Sequence, residues 1–255
     1  MHYPRNGGGV VAGVIGPMLV TGTMNLLPPH TFVITFIAQA LVATISAFIL
    51  KGVIPAEPAV AAKSGGRSLK EIVRQPGFLK TVFSGAVAYM VMNFLMTAAP
   101  FNAYAWNFST SLQSGYSMAR YCYVWAGFFT GRLINRFGAL RISATGLLIT
   151  AGSVLAGLSG TDIFHYWLSL ILLGVGWNFG FTGASAKIID YHRPEEKTQV
   201  QSLNDFVVFG VMIVGSFSSG ALLNLYGWNA VLWGSLIPVG IAFLCILKGV
   251  TRQLS

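Results

Sequence analysis

Gly131-Arg132-Leu133-Ile134-Asn135-Arg136-Phe137-Gly138-Ala139-Leu140-Arg141 sets three arginines and two glycines between two strongly apolar runs. YCYVWAGFFT (121–130) precedes the stretch and ISATGLLITAG (142–152) follows it. A loop of a water-soluble protein is not bracketed in this way. The pattern fits a short charged turn between two helices whose solvent is lipid. The composition agrees: only 9% of the 255 residues are charged and 54% are hydrophobic, whereas a soluble domain carries about 25% charged residues. Mean hydropathy is +0.66. The expected class is an all-α integral membrane protein.

A membrane-spanning helix needs roughly 20 mostly apolar residues. About eight such runs are present, near 8–27, 31–51, 77–98, 115–134, 139–159, 164–186, 203–224 and 228–248. Arg5 precedes the first. Lys51, Lys63, Arg67, Lys70, Arg74 and Lys80 cluster around the gap after the second. Arg132, Arg136 and Arg141 follow the fourth, Lys187, Arg193 and Lys197 the sixth, and Lys248 and Arg252 the eighth. The connections near 28–30, 99–114, 160–163 and 225–227 contain no Lys or Arg. Basic residues therefore fall in every second connection. The positive-inside rule then puts both termini and the basic connections in the cytoplasm. The net charge of +9 is explained by these loops, and no nucleic-acid partner is expected. Cys122 and Cys245 both lie in apolar runs and read as small buried hydrophobes. No secretory signal pattern opens the chain.

VIPAEPAVAAKSGGRSLKEIVRQPG (53–77) is the one long basic connection, rich in Pro, Ala and Gly, and reads as a linker. SLKEIVRQ within it fits a short amphipathic helix on the membrane surface, with Ser68 and Glu71 spaced as a capping box. Two spans precede the linker and six follow it.

The opening stretch resembles the G-x-L-x-D-R-x-G-x-x-R signature of the major facilitator superfamily, with Asn135 where the pattern has Asp. In that family the signature joins the second and third helices of each six-helix half, which is its place after the linker here. Gly9, Gly13, Gly16 and Pro17 loosely resemble a Gly-Pro motif of the fifth helix in many antiporters of the superfamily. YHRPEEKTQVQSLNDF (191–206) is similar to its connection between helices ten and eleven, where Pro194 would open a short helix with Glu195 and Glu196 in the first turn. LLGVGWNFGFTGASAKIIDYHRPEEKTQVQSLNDFVVFG resembles a bacterial subgroup of uncharacterised transporters. The resemblance covers nearly the whole chain.

It implies helices 5 and 6 (residues 1–51), a cytoplasmic linker (52–76) and a complete six-helix C-terminal bundle (77–255), with helices 1–4 lacking. The implied function is secondary transport of a small organic solute by alternating access, with coupling to a proton among the options, in a bacterial inner membrane. The alternative is a non-transporting membrane remnant, or a half-transporter needing a partner chain.

Polar residues inside spans are costly unless they line a cavity, so they are the site candidates. Tyr89, Asn93 and Thr97 recur every four residues on one helix face. They line a cavity or form an interhelical hydrogen-bond seam. Arg120 attracts an anionic solute group or snorkels to the outer surface. Tyr123, with Tyr121 and Trp125, forms an aromatic wall or an interfacial belt. Trp177 and Asn178 sit mid-helix, while Gly174, Gly176, Gly180 and Gly183 permit close helix approach. Gly131, Arg132, Asn135, Arg136, Gly138 and Arg141 are the expected gating residues. The glycines there allow tight packing, and the arginines pair with helix ends or acidic groups. Asp205, beside Asn204, either takes part in proton coupling or caps a helix or pairs with a loop arginine. The sequence has no G-x-S-x-G, no paired intramembrane acids, no His/Cys cluster and no phosphate loop. It is therefore not read as an enzyme, and neither cofactor nor metal is expected.

Overall fold

The computed structural model describes residues 19, 22–23, 26–27, 33–53, 66–105 and 126–252. Its secondary structure there is helical, with no strand among the described residues. The helices are α1 (Val33–Val53), α2 (Leu69–Val73), α3 (Phe78–Ala105), α4 (126–137), α5 (Ala139–Leu158), α6 (Ile163–Ile188) and α7 (Lys197–Arg252). Single 3-10 turns, Ile189–Tyr191 and Pro194–Glu196, link α6 to α7. The chain divides into two compact units between Gly65 and Gly66. In the first, Thr23 Oγ1 and Thr35 Oγ1 share a hydrogen bond of 2.7 Å. The expected span 8–27 and the residues Gly9, Gly13, Gly16 and Pro17 lie largely or wholly outside the described residues, as does most of 115–134.

Four described segments are long and apolar enough to cross a membrane: Phe78–Ala99, Ala139–Leu158, Ile163–Tyr191 and Pro194–Thr251. The last is too long for one traverse. At 1.5 Å per residue its 58 residues would extend about 87 Å against a hydrocarbon core of about 30 Å. Gly227 breaks it, with φ 77° and ψ −178°. A side chain disfavours that backbone, so glycine supplies the turn. The break falls in the connection expected at 225–227 and splits α7 into two arms.

Contacts give the helices their relative directions. Along α5 and α6, Ser143 meets Gly180 and Thr150 meets Gly176, so the two run antiparallel. The first arm of α7 runs parallel to α3: Phe209 lies on Tyr89, and Ser219 donates to the Phe94 carbonyl. The second arm runs antiparallel to α5, with Leu232 beside Gly157 and Leu140 beside Gly249. Gly85 lies beside Ala184 and Ala88 beside Gly180, so α3 and α6 are antiparallel as well, and in chain order α5, α6 and the two arms of α7 alternate in direction. The core between them holds Val87, Val91, Leu95, Leu147, Val154, Leu173, Val231 and Leu232. Large apolar side chains also point outward, among them Phe164, Phe206, Phe217, Leu225 and Leu244. In water such a surface would be a liability; in lipid it is the solvated face.

The linker helix forms where expected, with Ser68 as N-cap accepting from the Glu71 amide at 3.4 Å. Its apolar residues are divided: Leu69 stays exposed while Ile72 turns into the protein. Ile72 is fully buried in protein, against Phe78, Val82, Ile188 and Val200.

Candidate solute site

The aromatic residues of three helices converge on Tyr89. Its ring stands edge-on to Trp177 (centroids 5.6 Å apart), Phe181 (5.1 Å) and Phe209 (6.1 Å). Trp177 and Phe181, one turn apart on α6, are nearly parallel at 8°. These are the edge-to-face and offset geometries that aromatic quadrupoles favour. Phe209 remains 49% exposed, so the cluster is open on the α7 side. Tyr89 lies eleven residues into α3, Trp177 eleven before the end of α6, and Phe209 twelve into α7. Each is therefore about 17 Å from the end that carries the charged connections, close to the middle of a roughly 30 Å hydrocarbon core.

Asn93, one turn above Tyr89, donates from Nδ2 to Ser216 Oγ of α7. The serine passes its own proton to the Met212 carbonyl at 3.0 Å. Thr97 turns back on its own helix and donates to the Asn93 carbonyl at 2.8 Å. The Tyr89, Asn93 and Thr97 stripe is thus divided. Tyr89 enters the aromatic cluster, Asn93 crosses to α7, and Thr97 satisfies itself locally.

Trp177 and Asn178 part company because adjacent helical residues point about 100° apart. Asn178 is buried and accepts from Thr130 of α4 at 2.5 Å. It ties α6 to α4, while Trp177 faces Tyr89. On a third face of α6, Gly176, Gly180 and Gly183 meet the α5 backbone. A Cβ at Gly183 would stand 2.6 Å from the Ser143 nitrogen, and one at Gly176 would stand 2.7 Å from that of Thr150. Ser143 donates to the Gly180 carbonyl at 3.0 Å. Ser84 lies 3.1 Å from the same hydroxyl; since Ser143 has committed its one proton, Ser84 is the donor.

In the opening stretch, Gly138 has φ 92° and links α4 to α5 as a one-residue turn. Glycine is needed there for backbone reasons. Gly131 differs: a Cβ on it would meet no described atom within 4 Å, so tight packing is not its role among the described residues. Arg132, Asn135 and Arg136 are exposed and Arg141 is half-buried. Arg136 sits over the Phe137 ring at 5.3 Å. Among the described residues neither Arg132 nor Arg136 forms an ion pair.

Asp205 lies eight residues inside α7, so it cannot cap that helix, and it pairs with no arginine among the described residues. It accepts from Asn204 Nδ2 at 3.2 Å. The helix starts earlier than the apolar run because Pro194, Glu195 and Glu196 nucleate it in a 3-10 turn. Arg120 and Tyr123 lie outside the described residues. No group of three metal-ligating side chains occurs among the described residues. Phe181, Phe209 and Ser216 were not among the sequence candidates. Only the helix pairing distinguishes them from lipid-facing or core residues of the same types.

Comparison with known proteins places these features in context. The sequence model of the Major Facilitator Superfamily matches residues 81–253. The chain is 38% identical over 230 residues to the riboflavin transporter RfnT of Brucella anthropi, covering 89% of this chain and 58% of that protein. It is 35% identical over 120 residues to YddS of Bacillus subtilis, an uncharacterized MFS-type transporter, covering 43% and 27% of the two chains. Among solved structures, a bacterial homologue of the iron transporter ferroportin in an outward-facing state superposes with a TM-score of 0.63 at 16% identity. That match covers 94% of this chain and 60% of the other. The chain thus spans less than two thirds of the length of the first two of these whole-chain matches, RfnT and the ferroportin homologue.

Proposed function

This chain belongs to the major facilitator superfamily, and on that premise we propose that it works in secondary transport of a small organic solute with a planar aromatic ring, by alternating access. The observation that carries the reading is the convergence of Tyr89, Trp177, Phe181 and Phe209 from three helices near mid-membrane depth. A flat ring can stack on the open side of that cluster, and Asn93 stands one turn away to meet a polar edge. The name of the 38% identical relative, a riboflavin transporter, supports a solute of this type. Asp205 is the candidate for proton coupling, and Gly131, Arg132, Asn135, Arg136, Gly138 and Arg141 for gating. The setting is a bacterial inner membrane with both termini cytoplasmic; on that topology a cysteine at Ser64 stays unlabelled by impermeant reagents outside intact cells.

The test is equilibrium binding of riboflavin to the chain in lipid nanodiscs, read by flavin fluorescence. Saturable binding is expected. Trp177→Ala should weaken it about two- to tenfold, since losing a favourable aromatic pair costs about 0.5–1.5 kcal/mol. Absence of saturable binding of any planar aromatic probe, or binding indifferent to Trp177→Ala, would overturn the reading.

A further inference from the structure

The most completely satisfied charged group described in this chain is far from the aromatic cluster. Glu196 is 1% exposed at its side chain and sits in the residue before α7. Its Oε1 accepts from the Arg67 amide at 2.8 Å and from Arg67 Nε at 3.0 Å. Its Oε2 accepts from Arg67 Nη2 at 2.8 Å and from the Arg193 amide at 2.9 Å. The same Nη2 donates to the Tyr191 carbonyl at 3.0 Å, and Gln75 Nε2 donates to that carbonyl at 2.8 Å. A Cβ on Gly66 would stand 3.2 Å from Glu196 Cγ, so the backbone of the linker end lies against the carboxylate stem. Ile72 closes the rest of the contact in the small apolar cluster with Phe78, Ile188 and Val200.

We infer that Arg67 and Glu196 form a clamp that makes the end of the linker, residues 66–77, one mechanical body with α7. The division of the chain between Gly65 and Gly66 falls immediately before the clamp. A buried carboxylate holding a forked guanidinium and two backbone amides has no comparable alternative geometry, so the joint is stiff. The first arm of α7 carries Phe209, about 20 Å along a helix rising 1.5 Å per residue, and then Ser216 and Ser219, which bond to Asn93 and the Phe94 carbonyl of α3. A pull on the linker therefore reaches the helix that walls the aromatic cluster. Arg67 and Glu196 are positioning residues for the conformational step and touch no solute. This mechanical consequence rests on the transport reading; the clamp itself does not.

Spin labels at Leu69→Cys and Tyr226→Cys, both exposed, test it in the 255-residue chain in nanodiscs, with Cys122 and Cys245 replaced by alanine. Pulsed electron resonance should give one narrow distance distribution. Arg67→Met should raise the displaced population roughly tenfold or more, and Glu196→Gln should add little on top of it, because the two act as one unit. Arg67→Lys, which keeps charge but not the fork, should broaden the distribution less. Should Arg67→Met fail to insert, broadening in Arg67→Lys decides the matter. A distribution that stays narrow in the folded arginine variants, or additive broadening by the two substitutions, would overturn the clamp. If riboflavin is transported, Arg67→Met should slow turnover at least tenfold while binding changes less than twofold. If the unaltered chain binds and moves no aromatic solute, the transport reading fails, and the distance measurement still decides the clamp.

Discussion

Replacing Gly146 by alanine should force α5 and α6 apart. The added Cβ would stand 2.1 Å from the Gly180 nitrogen, 2.6 Å from its Cα and 2.7 Å from the Gly176 carbonyl oxygen. Those neighbours are backbone, so no side chain can swing away. Restoring a contact of about 3.4 Å requires the helices to separate by about 1.3 Å. That stretches the Ser143 to Gly180 hydrogen bond, now 3.0 Å, beyond about 4 Å, where it no longer counts as one. Such a bond contributes about 0.6 kcal/mol inside a membrane protein. Overpacking of a tight interface adds about 1–3 kcal/mol. Better helix propensity returns at most about 1 kcal/mol. The net loss is about 1–3 kcal/mol. Gly152, on the same helix, is the control, since a Cβ there meets no described atom within 4 Å. Gly152→Ala keeps the propensity gain without the clash and should be neutral or slightly stabilising. Reversible unfolding of both variants in mixed micelles gives the comparison. Gly146→Ala falling within about 0.5 kcal/mol of Gly152→Ala would refute the reasoning.

Asn178→Ala should destabilise the bundle by about 1 kcal/mol through loss of the Thr130 bond. Thr130→Val should add little in that background when the same unfolding assay is used. Arg136→Ala, at an exposed position on the turn, should slow solute exchange in proteoliposomes while riboflavin affinity stays within about twofold; loss of affinity at normal exchange rates would contradict a gating role. The Glu196 carboxyl is held well below its ordinary value of 4.5, first by the Arg67 guanidinium and then by the Arg193 amide. A depressed folded-state pKa means that the pair's stabilisation is complete above the ordinary carboxylate range and declines progressively as pH falls from there through the folded value. The distance distribution between the two labels should therefore be unchanged from pH 5 to 8 and broaden progressively as pH falls below the ordinary carboxylate range.

The outline of the molecule was legible because hydrophobic run length and charge placement answer directly to the bilayer. A run of about 20 apolar residues has one stable solution in lipid, a helix with every backbone group paired internally. Two connections were legible as well: Gly138 falls in the charged turn and Gly227 in the connection expected at 225–227, while the positive φ of each is a finding of the structure. The signature around Arg136 carried the family for the same reason, since a short turn confines its chemistry to neighbouring residues.

The site was only partly legible. Tyr89 and Trp177 were nameable as polar-tipped aromatics inside spans, yet nothing local separates Trp177 from Asn178. One step along α6 turns a side chain by about 100°, and whether it meets Tyr89 or Thr130 depends on which helix lies on that side. Phe181 and Phe209 carry no sequence mark at all, because a phenylalanine in a span suits lipid, core and cavity equally. Glu196 was placed correctly at the opening of a helix turn, but its burial comes from Arg67, 129 residues earlier in the chain. Sequence periodicity records which residues share a face of one helix. The partner of each face is set by how several helices pack at once, and that is why the aromatic cluster and the Arg67–Glu196 pair belong to the tertiary structure alone.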